Sequence, residues 1–402
     1  MDSQNRVTGT RRAKHLPSKA SKLEGKVHET YSRLLGIAQK LGPHAKLPTV
    51  RELKEDLNVS QATLDAAFVR LEGQNILVRR QGSGVYVSPR LRLRNIILLC
   101  NPEYFMFGDS SPFWRLLVRQ IREIAERNEA HLTLHFVRPH VEQELNHPQD
   151  AGPLSTTIRE EIVAGGVHGI ITVGVLHPVA RWIEAQGVPV VAYAGAAEYV
   201  ISHSNVSMIQ MGVAALARAG CRRIDPWFFS PISAAGNNAY TPLYTVYKGA
   251  MLAHGLSPSP ALEMGGEDEG SADTDDVFAE YYRIALERYS RKPRTEERPI
   301  GIVSPNDMHT QAALMALYRI GLRPNRDIKI ATHSNAGSTA LLAWHPEIIR
   351  VEFDPAEIVR YLFETLDAMM NNEAPRWLSR AVRTPEWMYL VEPSLILPDD
   401  DL

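Results

Sequence analysis

Seven short apolar runs recur along the last three quarters of the chain, and stretches with helical character separate them. The runs are NIILLC, HLTLHFV, GIITVGV, PVVAYAG, RRIDPWFF, PIGIVSP and DIKIATH, which lie between residues 95 and 333. Apolar strands that alternate with helices are typical of parallel sheets covered by helices on both faces. Because about 300 residues exceed what one sheet usually needs, this part of the chain is expected to form two lobes.

Charge is distributed unevenly along the chain, although the formal net charge of all 402 residues is only −2. Residues 1–95 carry 18 Lys and Arg against 8 Asp and Glu, whereas the remainder carries 26 against 38. A basic first quarter attached to an acidic remainder is typical of a nucleic-acid-binding domain joined to a separate domain. Charge alone would equally fit a segment that binds acidic proteins or a membrane surface, so the local pattern has to decide.

Several functional classes leave no signature in the sequence. The longest apolar runs, such as residues 95–99, fall far short of the ~18–20 residues that a membrane span requires, and the first 22 residues lack the apolar core of a secretory signal. Cys100 and Cys221 are far apart, which predicts reduced packing residues in a cytoplasmic protein. No His-Glu-x-x-His, paired Cys-x-x-Cys or Gly-x-Ser-x-Gly motif occurs. We therefore expect no membrane partner, no metal, no cofactor and no enzymatic activity.

The basic quarter divides into three short helices. Apolar residues between 23 and 41 fall on one helical face, and the capping box Thr49-x-x-Glu52 begins a second helix that ends near Leu57. Ser60 caps a third helix, and Asn58 supplies the turn between the second and the third. Two short helices joined by three or four residues predict a helix-turn-helix.

The Gly-rich stretch RRQGSGVYV, residues 79–87, follows these helices. A loop that cradles a nucleotide phosphate lies between a strand and a helix and ends in Lys-Ser or Lys-Thr. Here the strand-like runs ILVRR and VYVSP lie on both sides of the glycines, and no Lys-Ser or Lys-Thr follows. The stretch therefore predicts a β-hairpin, the wing of a winged helix.

Residues 22–89 resemble the GntR family of bacterial winged-helix regulators. The resemblance rests on LPTVREL, LNVSQATLDAAFVRLE and ILVRRQGSGVYV in this order. It implies that the third helix enters the major groove of DNA and that the wing lies along the adjacent minor groove or backbone. The family commonly has arginines where this chain has Gln61 and Asp65. Gln61 could pair with adenine and Asp65 with cytosine N4, or Asp65 repels phosphates and base readout is weak.

We therefore expect a double-stranded DNA operator as the partner of the winged helix at 22–89. The candidate DNA contacts are cations for phosphates, polar side chains and glycines that allow close backbone approach: Lys46, Thr49, Arg51, Ser60, Gln61, Thr63, Asp65, Arg79, Arg80, Gly82, Ser83 and Gly84. A solvated hairpin face is the alternative for Arg79 and Arg80. Residues 1–21 are basic and nearly devoid of apolar side chains, which predicts a disordered arm, and residues 90–94 are expected to be a linker.

Residues 95–397 resemble the effector domain of the LacI/GalR family, which has the type I periplasmic-binding-protein fold. SSPFWRLLVRQIREIAERN, VHGIITVG and the stretch PIGIVSPNDMHTQAALMALYRIGLRPNRDIKIATH carry the resemblance. The sequence thus predicts an α+β winged helix-turn-helix N-terminal domain followed, over 95–402, by a two-lobed α/β periplasmic-binding-protein-like domain with parallel sheets. Arabinose-repressor-like regulators have a similar architecture. A pyridoxal-phosphate body, which some GntR domains carry, would need a Schiff-base lysine in a recognisable context, and none is found.

The second resemblance implies a ligand cleft between the lobes, at the carboxyl ends of the strands. An aromatic pair at the start of the first helix could hold the apolar face of a sugar, and polar residues could meet its hydroxyls. The candidate effector contacts are Phe113, Trp114, Ser204, Tyr244, Asn306, Asp307, His333 and Ser334. Core packing is the alternative for Trp114, and a plain helix cap is the alternative for Asp307.

Three positions at which the family usually has charged sugar-binding residues are neutral here, namely Ser204, Leu243 and Ser334. The loss of a charge-assisted hydrogen bond costs ~1.5–3 kcal/mol, so a standard pentose or hexose would be held poorly. Either the effector differs, or the domain serves only dimerisation and protein contacts. The expected function is a homodimeric transcriptional regulator, by analogy a repressor, that is controlled by a sugar or sugar derivative. The alternative is a regulator that binds DNA without an effector.

Overall fold

The computed structural model describes residues 19–73, 76–89, 94–106, 111–137, 154–175, 177–228, 241–262, 277–290, 299–383 and 386–398. The chain divides into two compact units, Met1–Arg94 and Asn95–Leu402. Residues 1–18 of the predicted arm and residues 90–93 of the predicted linker lie outside the described part of the chain.

The first unit begins with a helix that is longer than expected. Helix α1 spans Lys19–Leu41, so residues 19–21 are helical rather than part of an arm. Lys and Ala at this point have high helix propensity, which lets the helix extend beyond its apolar face at little cost. Further along α1, Tyr31, Leu34 and Ala38 are buried in the core of the unit.

The next two helices form the predicted helix-turn-helix. Helix α2 spans Val50–Leu57 and α3 spans Gln61–Gly73. The expected capping box is present, because the Thr49 hydroxyl accepts a hydrogen bond from the Glu52 amide and the Glu52 carboxylate accepts one from the Thr49 amide at 2.7 Å. Asn58 ends α2 in the left-handed region with φ of 53°. Phe68 on α3 is completely buried among the apolar residues of all three helices.

The Gly-rich stretch forms the predicted hairpin. Strands β1 (Leu77–Arg80) and β2 (Gly84–Val87) pair antiparallel, and Arg80 lies opposite Gly84. The free edge of β2 is covered by the chain before α2, where the amide of Leu47 donates to the carbonyl of Val85 at 2.9 Å. This extra pairing fixes the hairpin against the helix-turn-helix.

The first lobe of the second unit is built on a seven-stranded sheet. Its strands are β3 (Asn95–Cys100), β4 (His131–Phe136), β5 (Gly169–Val173), β6 (Val190–Tyr193), β7 (Tyr199–His203), β12 (Val382–Arg383) and β13 (Trp387–Val391). Their order is β12-β13-β7-β6-β5-β3-β4, and the pairs from β13 to β4 are parallel.

Helices cover both faces of this sheet. Helices α5 (Phe113–Arg127) and α12 (Pro355–Met370) pack on one face, and α6 (Thr156–Val163) and α7 (His177–Ala185) pack on the other. A short helix, α4 (Glu103–Met106), follows β3. The sequence of β3 is uniformly apolar because the strand is buried on both faces. Ile96 and Leu98 face α5 and α12, while Ile97 and Leu99 face α6 and α7.

The second lobe repeats the arrangement with five strands. They are β8 (Arg223–Pro226), β9 (Ile300–Ser304), β10 (Ile328–Asn335), β11 (Ile349–Phe353) and β14 (Ser394–Ile396), in the order β14-β11-β10-β9-β8. Helices α8 (Asn205–Arg218) and α9 (Thr241–Ala253) cover one face, and α10 (Val277–Tyr289) and α11 (Asp307–Arg319) cover the other. None of the described helices combines the length and the apolar character that a membrane crossing requires.

The chain passes from one lobe to the other three times. The passages follow β7, β11 and β13, each of which ends at the junction of the lobes. The amide of Ser204, just after β7, donates to the carbonyl of Val391 at the end of β13 at 3.0 Å. The junction is therefore a set of short, hydrogen-bonded crossings rather than one flexible linker.

The expected fold class is confirmed. All seven apolar runs contain strands, β3 to β6 and β8 to β10, and they form two parallel sheets in two lobes. The sequence reading did not identify β7, β11 or β13, the strands that lead into the crossings.

Asp225 on β8 is a completely buried carboxylate. It accepts hydrogen bonds from Arg223 at 3.0 Å, Arg288 at 3.1 Å and the Tyr289 hydroxyl at 2.8 Å. Burial would raise its pKa, but the two guanidinium groups outweigh burial and hold the pKa below its usual value.

We predict that Asp225→Asn lowers the free energy of unfolding at pH 7 by about 3 kcal/mol, because it leaves two arginines facing a neutral group. Urea denaturation of the full chain measures the change. Asp354→Asn is the matched control, since Asp354 is exposed and Asn is an equally good cap for α12. Equal stability losses in the two variants would contradict the prediction.

Candidate DNA interface and interlobe cleft

The exposed face of α3 carries few hydrogen-bond donors. Gln61 and Ala62 are exposed at its start, and Val69 is 65% exposed further along. The Gln61 amide donates to the Asp65 carboxylate at 3.0 Å, so these two side chains form a pair one helical turn apart. The face therefore offers one amide–carboxylate pair and a row of small apolar side chains to a DNA groove.

Two other predicted contacts have structural roles at the helix starts. The Ser60 hydroxyl accepts from the Thr63 amide at 3.2 Å and lies 2.8 Å from the Thr63 hydroxyl. Thr63 is only 4% exposed, so in this structure its side chain supports the cap of α3 instead of reaching solvent. Thr49 is exposed, and its hydroxyl is held by Glu52 at 2.8 Å.

Two of the predicted cations are paired with carboxylates. The Arg51 guanidinium lies 3.2 Å from Glu55, one turn along α2. The Arg79 guanidinium lies 2.9 Å from Glu72 at the end of α3 and stands over the Phe68 ring. Each pair is close to neutral as seen from a DNA phosphate.

The other two cations of this surface surround Tyr86 on the wing. The Arg80 guanidinium lies 4.6 Å and the Lys46 ammonium 5.9 Å from the centre of the Tyr86 ring. The Tyr86 hydroxyl lies 2.7 Å from that of Ser83, which forms the hairpin turn together with Gly82. Tyr86 is absent from the predicted contacts. The signal for it in the sequence was weak, namely the position of an aromatic residue diagonally opposite Arg80 in the hairpin.

In the second unit, the carboxyl ends of both parallel sheets meet at the junction of the lobes. The Ser111 hydroxyl, before α5 in the first lobe, donates to the Asp307 carboxylate at the start of α11 in the second lobe at 2.8 Å. Asp307 is 3% exposed, and burial raises its pKa although the Ser111 hydroxyl and the Met308 amide donate to it. The predicted Asp307 thus lies between the lobes, with a partner that the sequence did not indicate.

Two imidazoles meet at the same junction. His203 ends β7 in the first lobe, and its ring centre lies 5.3 Å from that of His333 on β10 and 5.1 Å from that of Phe353 on β11. Nδ1 of His203 lies 2.9 Å from the Tyr193 hydroxyl, and Nε2 of His333 lies 2.9 Å from the Asn335 amide. Nδ1 of His333 is buried and has no partner among the described residues. Burial lowers the pKa of His203 to about 3 and that of His333 to about 4.

Aromatic residues line the first-lobe side of the junction. Trp114 is half-buried, and its ring centre lies 4.3 Å from that of Tyr104 and 6.0 Å from that of Tyr193. Tyr104 lies directly on Gly174, where a Cβ atom would come within 1.9 Å of the ring, so only glycine fits there. Phe113 is 5% exposed and belongs to the core of the first lobe. Trp114 is therefore partly exposed at the start of α5, with the Tyr104 ring tilted against it.

The remaining predicted effector contacts are held in local hydrogen bonds. Asn306 caps α11 by accepting from the amides of Met308 and His309, and Ser204 caps α8. Ser334 donates weakly to Glu352 at 3.4 Å. The Tyr244 hydroxyl donates to the Ser259 carbonyl at 3.2 Å, and its ring packs on Phe228 and Tyr247. The contacts of Tyr244 do not join it to the imidazole pair or to Asp307.

Over the described ranges no cluster of three His, Cys, Asp or Glu side chains is arranged to hold a metal ion.

Two family models match the chain. Residues 37–87 match the bacterial regulatory proteins of the gntR family, and residues 213–387 match the periplasmic binding protein-like domain. The first match covers the helix-turn-helix and the wing, and the second covers most of the second lobe together with α12 and β12 of the first lobe.

Solved structures share the fold of the second unit. The regulatory protein of the LacI family from Chloroflexus aggregans is 18% identical, with a TM-score of 0.56, and the match covers 76% of this chain and 97% of that one. The transcription regulator CcpA of Lactococcus lactis is 15% identical, with a TM-score of 0.52 and coverage of 76% and 98%. The transcriptional regulator CelR, in complex with cellobiose, is 17% identical, with a TM-score of 0.51 and coverage of 84% and 90%.

These matches agree with the two-part architecture. The chain joins a segment that matches the gntR-family model to a domain that matches the periplasmic binding protein-like model, and this domain has the fold of the solved LacI-family structures.

The imidazole pair makes the second unit sensitive to acid. Folding depresses the pKa of both histidines, so the unfolded chain takes up more protons once the pH falls below the ordinary value of 6.5. We predict that stability is complete above pH 6.5 and falls towards pH 4, by about 1.4 kcal/mol per pH unit for each such histidine. Melting temperatures between pH 7.5 and 5 measure the slope. His203→Gln should reduce the slope without abolishing it, because the buried His333 and His309 still contribute, whereas His254→Gln, at an exposed position, should leave it unchanged. The same slope in all three proteins would refute the assignment.

Proposed function

We propose that this chain is a transcription regulator that binds a double-stranded DNA operator through residues 22–89 and that a neutral carbohydrate-like molecule in the interlobe cleft controls the binding. The observation that carries the proposal is the pairing of two surfaces in one chain. One is an exposed recognition helix beside a cationic wing, and the other is a polar and aromatic junction between two lobes. We further propose that the regulator is a repressor, which rests on analogy with its class.

The chemistry of the cleft favours an uncharged ligand. Its described polar groups are hydroxyls, amides and imidazoles that burial keeps neutral, and Asp307 already accepts a hydrogen bond from Ser111. Trp114 and Tyr104 offer aromatic faces of the kind that hold the apolar face of a sugar ring. The relative CelR is known in complex with cellobiose, which makes sugars the first class to test.

Control of DNA binding would follow from the way the lobes are joined. A ligand that contacts both Trp114 in the first lobe and Asp307 in the second would compete with or reinforce the bond between Ser111 and Asp307. Such a ligand binds the open and the closed arrangement differently, which is the condition for shifting the equilibrium between them. In a homodimer, a change of this kind in each body would alter the spacing of the two winged helices.

A second candidate function is a regulator that acts without an effector. The contact of the Tyr104 ring with Trp114 and the bond from Ser111 to Asp307 favour it, because both contacts occupy groups that a ligand would need. In that case the second unit would serve dimerisation and protein contacts alone.

A binding experiment separates the two functions. An operator would first be selected from random duplex DNA with the purified full chain, and the chain would be screened by thermal shift against neutral sugars, sugar acids and sugar phosphates. We predict that a neutral sugar raises the melting temperature, since a ligand at about 100 times its Kd adds roughly 2.7 kcal/mol of stability, and that it changes the affinity for the selected operator.

Trp114→Leu should abolish both effects of the sugar, whereas Trp182→Leu, a half-buried tryptophan on α7, should leave them intact. If no compound of the panel raised the melting temperature while the operator was bound tightly, the effector-free function would be supported. Failure to select any DNA would contradict the proposed function as a whole.

We also propose that α11 and the following 3₁₀ helix (Leu342–Glu347) form the dimer interface. Met315, Tyr318 and Leu342 are large apolar residues that are 48%, 52% and 60% exposed, and Trp344 packs on Tyr318 with ring centres 5.9 Å apart. These four residues are the α11 patch. Grouped apolar side chains of this size on a surface mark protein contacts, and a second copy would bring two DNA-binding units together.

The α11 patch predicts a specific effect on assembly. Tyr318→Glu with Leu342→Glu should convert the dimer to a monomer and weaken operator binding strongly, because each half-site would then be bound alone. Light scattering after gel filtration measures the mass in solution. Leu252→Glu is the matched control, since Leu252 is 66% exposed on α9 outside the patch. Dimers that persist in the double variant would rule out this interface.

A further inference from the structure

We propose that Tyr86 is a positioning residue that holds Lys46 and Arg80 as two cations of the DNA interface, each directed at a backbone phosphate. The proposal rests on the proposed DNA-binding function and adds to it which cations act and what arranges them. Phosphates are recognised in every duplex, so the pair would supply affinity that is independent of sequence.

Three parts of the chain converge on the Tyr86 ring. Arg80 ends β1, Tyr86 lies on β2, and Lys46 lies in the segment that pairs with the outer edge of β2 through an isolated bridge to Tyr86. Both charged groups lie within 6 Å of the ring centre, at 4.6 Å and 5.9 Å. The phenol therefore fixes two cations that are far apart in sequence on one small surface.

A hydroxyl contact anchors the Tyr86 ring, and a glycine leaves room for the Lys46 side chain beside it. The Tyr86 hydroxyl is tied to the Ser83 hydroxyl at 2.7 Å, which joins the ring to the tip of the hairpin. Gly84 lies beneath the Lys46 side chain, where an added Cβ would stand 3.0 Å from its Cε atom, and its φ of 119° is one that residues with side chains rarely adopt. A larger residue at position 84 would push Lys46 away from the ring.

A contrast with Arg51 and Arg79 shows why Lys46 and Arg80 are singled out among the predicted contacts. Arg51 and Arg79 are each paired with a carboxylate, Glu55 and Glu72, so a phosphate that approaches them also meets a negative charge. In the described part of the chain no carboxylate pairs with Lys46 or Arg80, and both are exposed. An aromatic ring attracts a cation through its quadrupole without cancelling the charge, which leaves the N–H groups free for a phosphate.

A double-mutant cycle tests the proposal on the full chain with its selected operator. The variants are Tyr86→Leu, the pair Lys46→Ala with Arg80→Ala, and all three together. We expect Tyr86→Leu to lower the affinity about five- to tenfold, as two exposed cation–π contacts would imply. In the background that lacks Lys46 and Arg80 it should cost nothing further, because the ring then has no cation to position.

The salt dependence of binding provides the second readout. Loss of Lys46 and Arg80 should reduce the slope of log K against log salt by about 1.8, which corresponds to two phosphate contacts. The matched control is Arg122→Ala with Glu126→Ala, which removes an exposed, charge-neutral pair on α5 of the second unit and should leave the slope within experimental error of the wild type. Tyr86→Phe keeps the ring, so it should retain most of the affinity that Tyr86→Leu loses.

The outcomes distinguish a failure of this proposal from a failure of the proposed DNA-binding function on which it rests. If the unmodified chain binds no duplex DNA, the proposed function fails and the role of Tyr86 fails with it. If it binds DNA and Tyr86→Leu is without effect, then Tyr86 positions no cation for DNA. If Tyr86→Leu costs as much in the absence of the two cations as in their presence, then Tyr86 supports the fold of the wing and does not position charge. A misfolded wing would give the second result, so it also counts against the proposal.

Discussion

The hydrogen-bonding geometry of parallel strands is the constraint on which the body of this protein depends. Parallel strands need long crossovers, and the helices that supply them cover both faces of each sheet, which leaves the carboxyl ends of the strands as the surface where polar groups collect. The three passages between the lobes bring two such edges together, so Ser111 meets Asp307 and His203 meets His333. The position of the candidate ligand site therefore follows from the topology of the two sheets, whichever side chains line it.

Desolvation then decides the character of that site. Groups that lie between two lobes lose water, and both imidazoles respond by staying neutral, with pKa values of about 3 and 4. The carboxyl of Asp307 is pushed in the same direction, towards its uncharged form. Under the proposed function, such a junction would distinguish ligands chiefly by hydrogen-bond geometry and aromatic contact, since its imidazoles are neutral and the Glu352 carboxylate, which accepts from Ser334, is already paired with Arg350. The neutral residues at Ser204 and Ser334 fit the same logic.

The sequence was sufficient for the fold class because its strongest signals are periodic. Strands buried on both faces give unbroken apolar runs, as in β3, and a capping box such as Thr49 with Glu52 marks a helix start without any tertiary knowledge. Strands β7 and β11 give weaker signals because polar residues interrupt their apolar runs, Ser202 in β7 and Arg350 and Glu352 in β11. The candidate sites were harder, since they depend on contacts between distant segments. Nothing local joins Ser111 to Asp307, Tyr104 to Trp114 or Lys46 to Tyr86.

The first unit shows why a count of charges can indicate an interface without identifying the residues that would contact DNA. The first 95 residues have an excess of ten positive charges, which is typical of a domain that binds nucleic acid. The fold places four of these cations in two settings: Arg51 and Arg79 lie beside carboxylates, whereas Lys46 and Arg80 lie on an aromatic ring. Exposed ion pairs contribute little to stability, so the main effect of these two pairs would be to lower the field that a phosphate experiences. Under the proposed function, the position of each cation relative to its neighbours in space, and not the net charge, would determine where DNA is held.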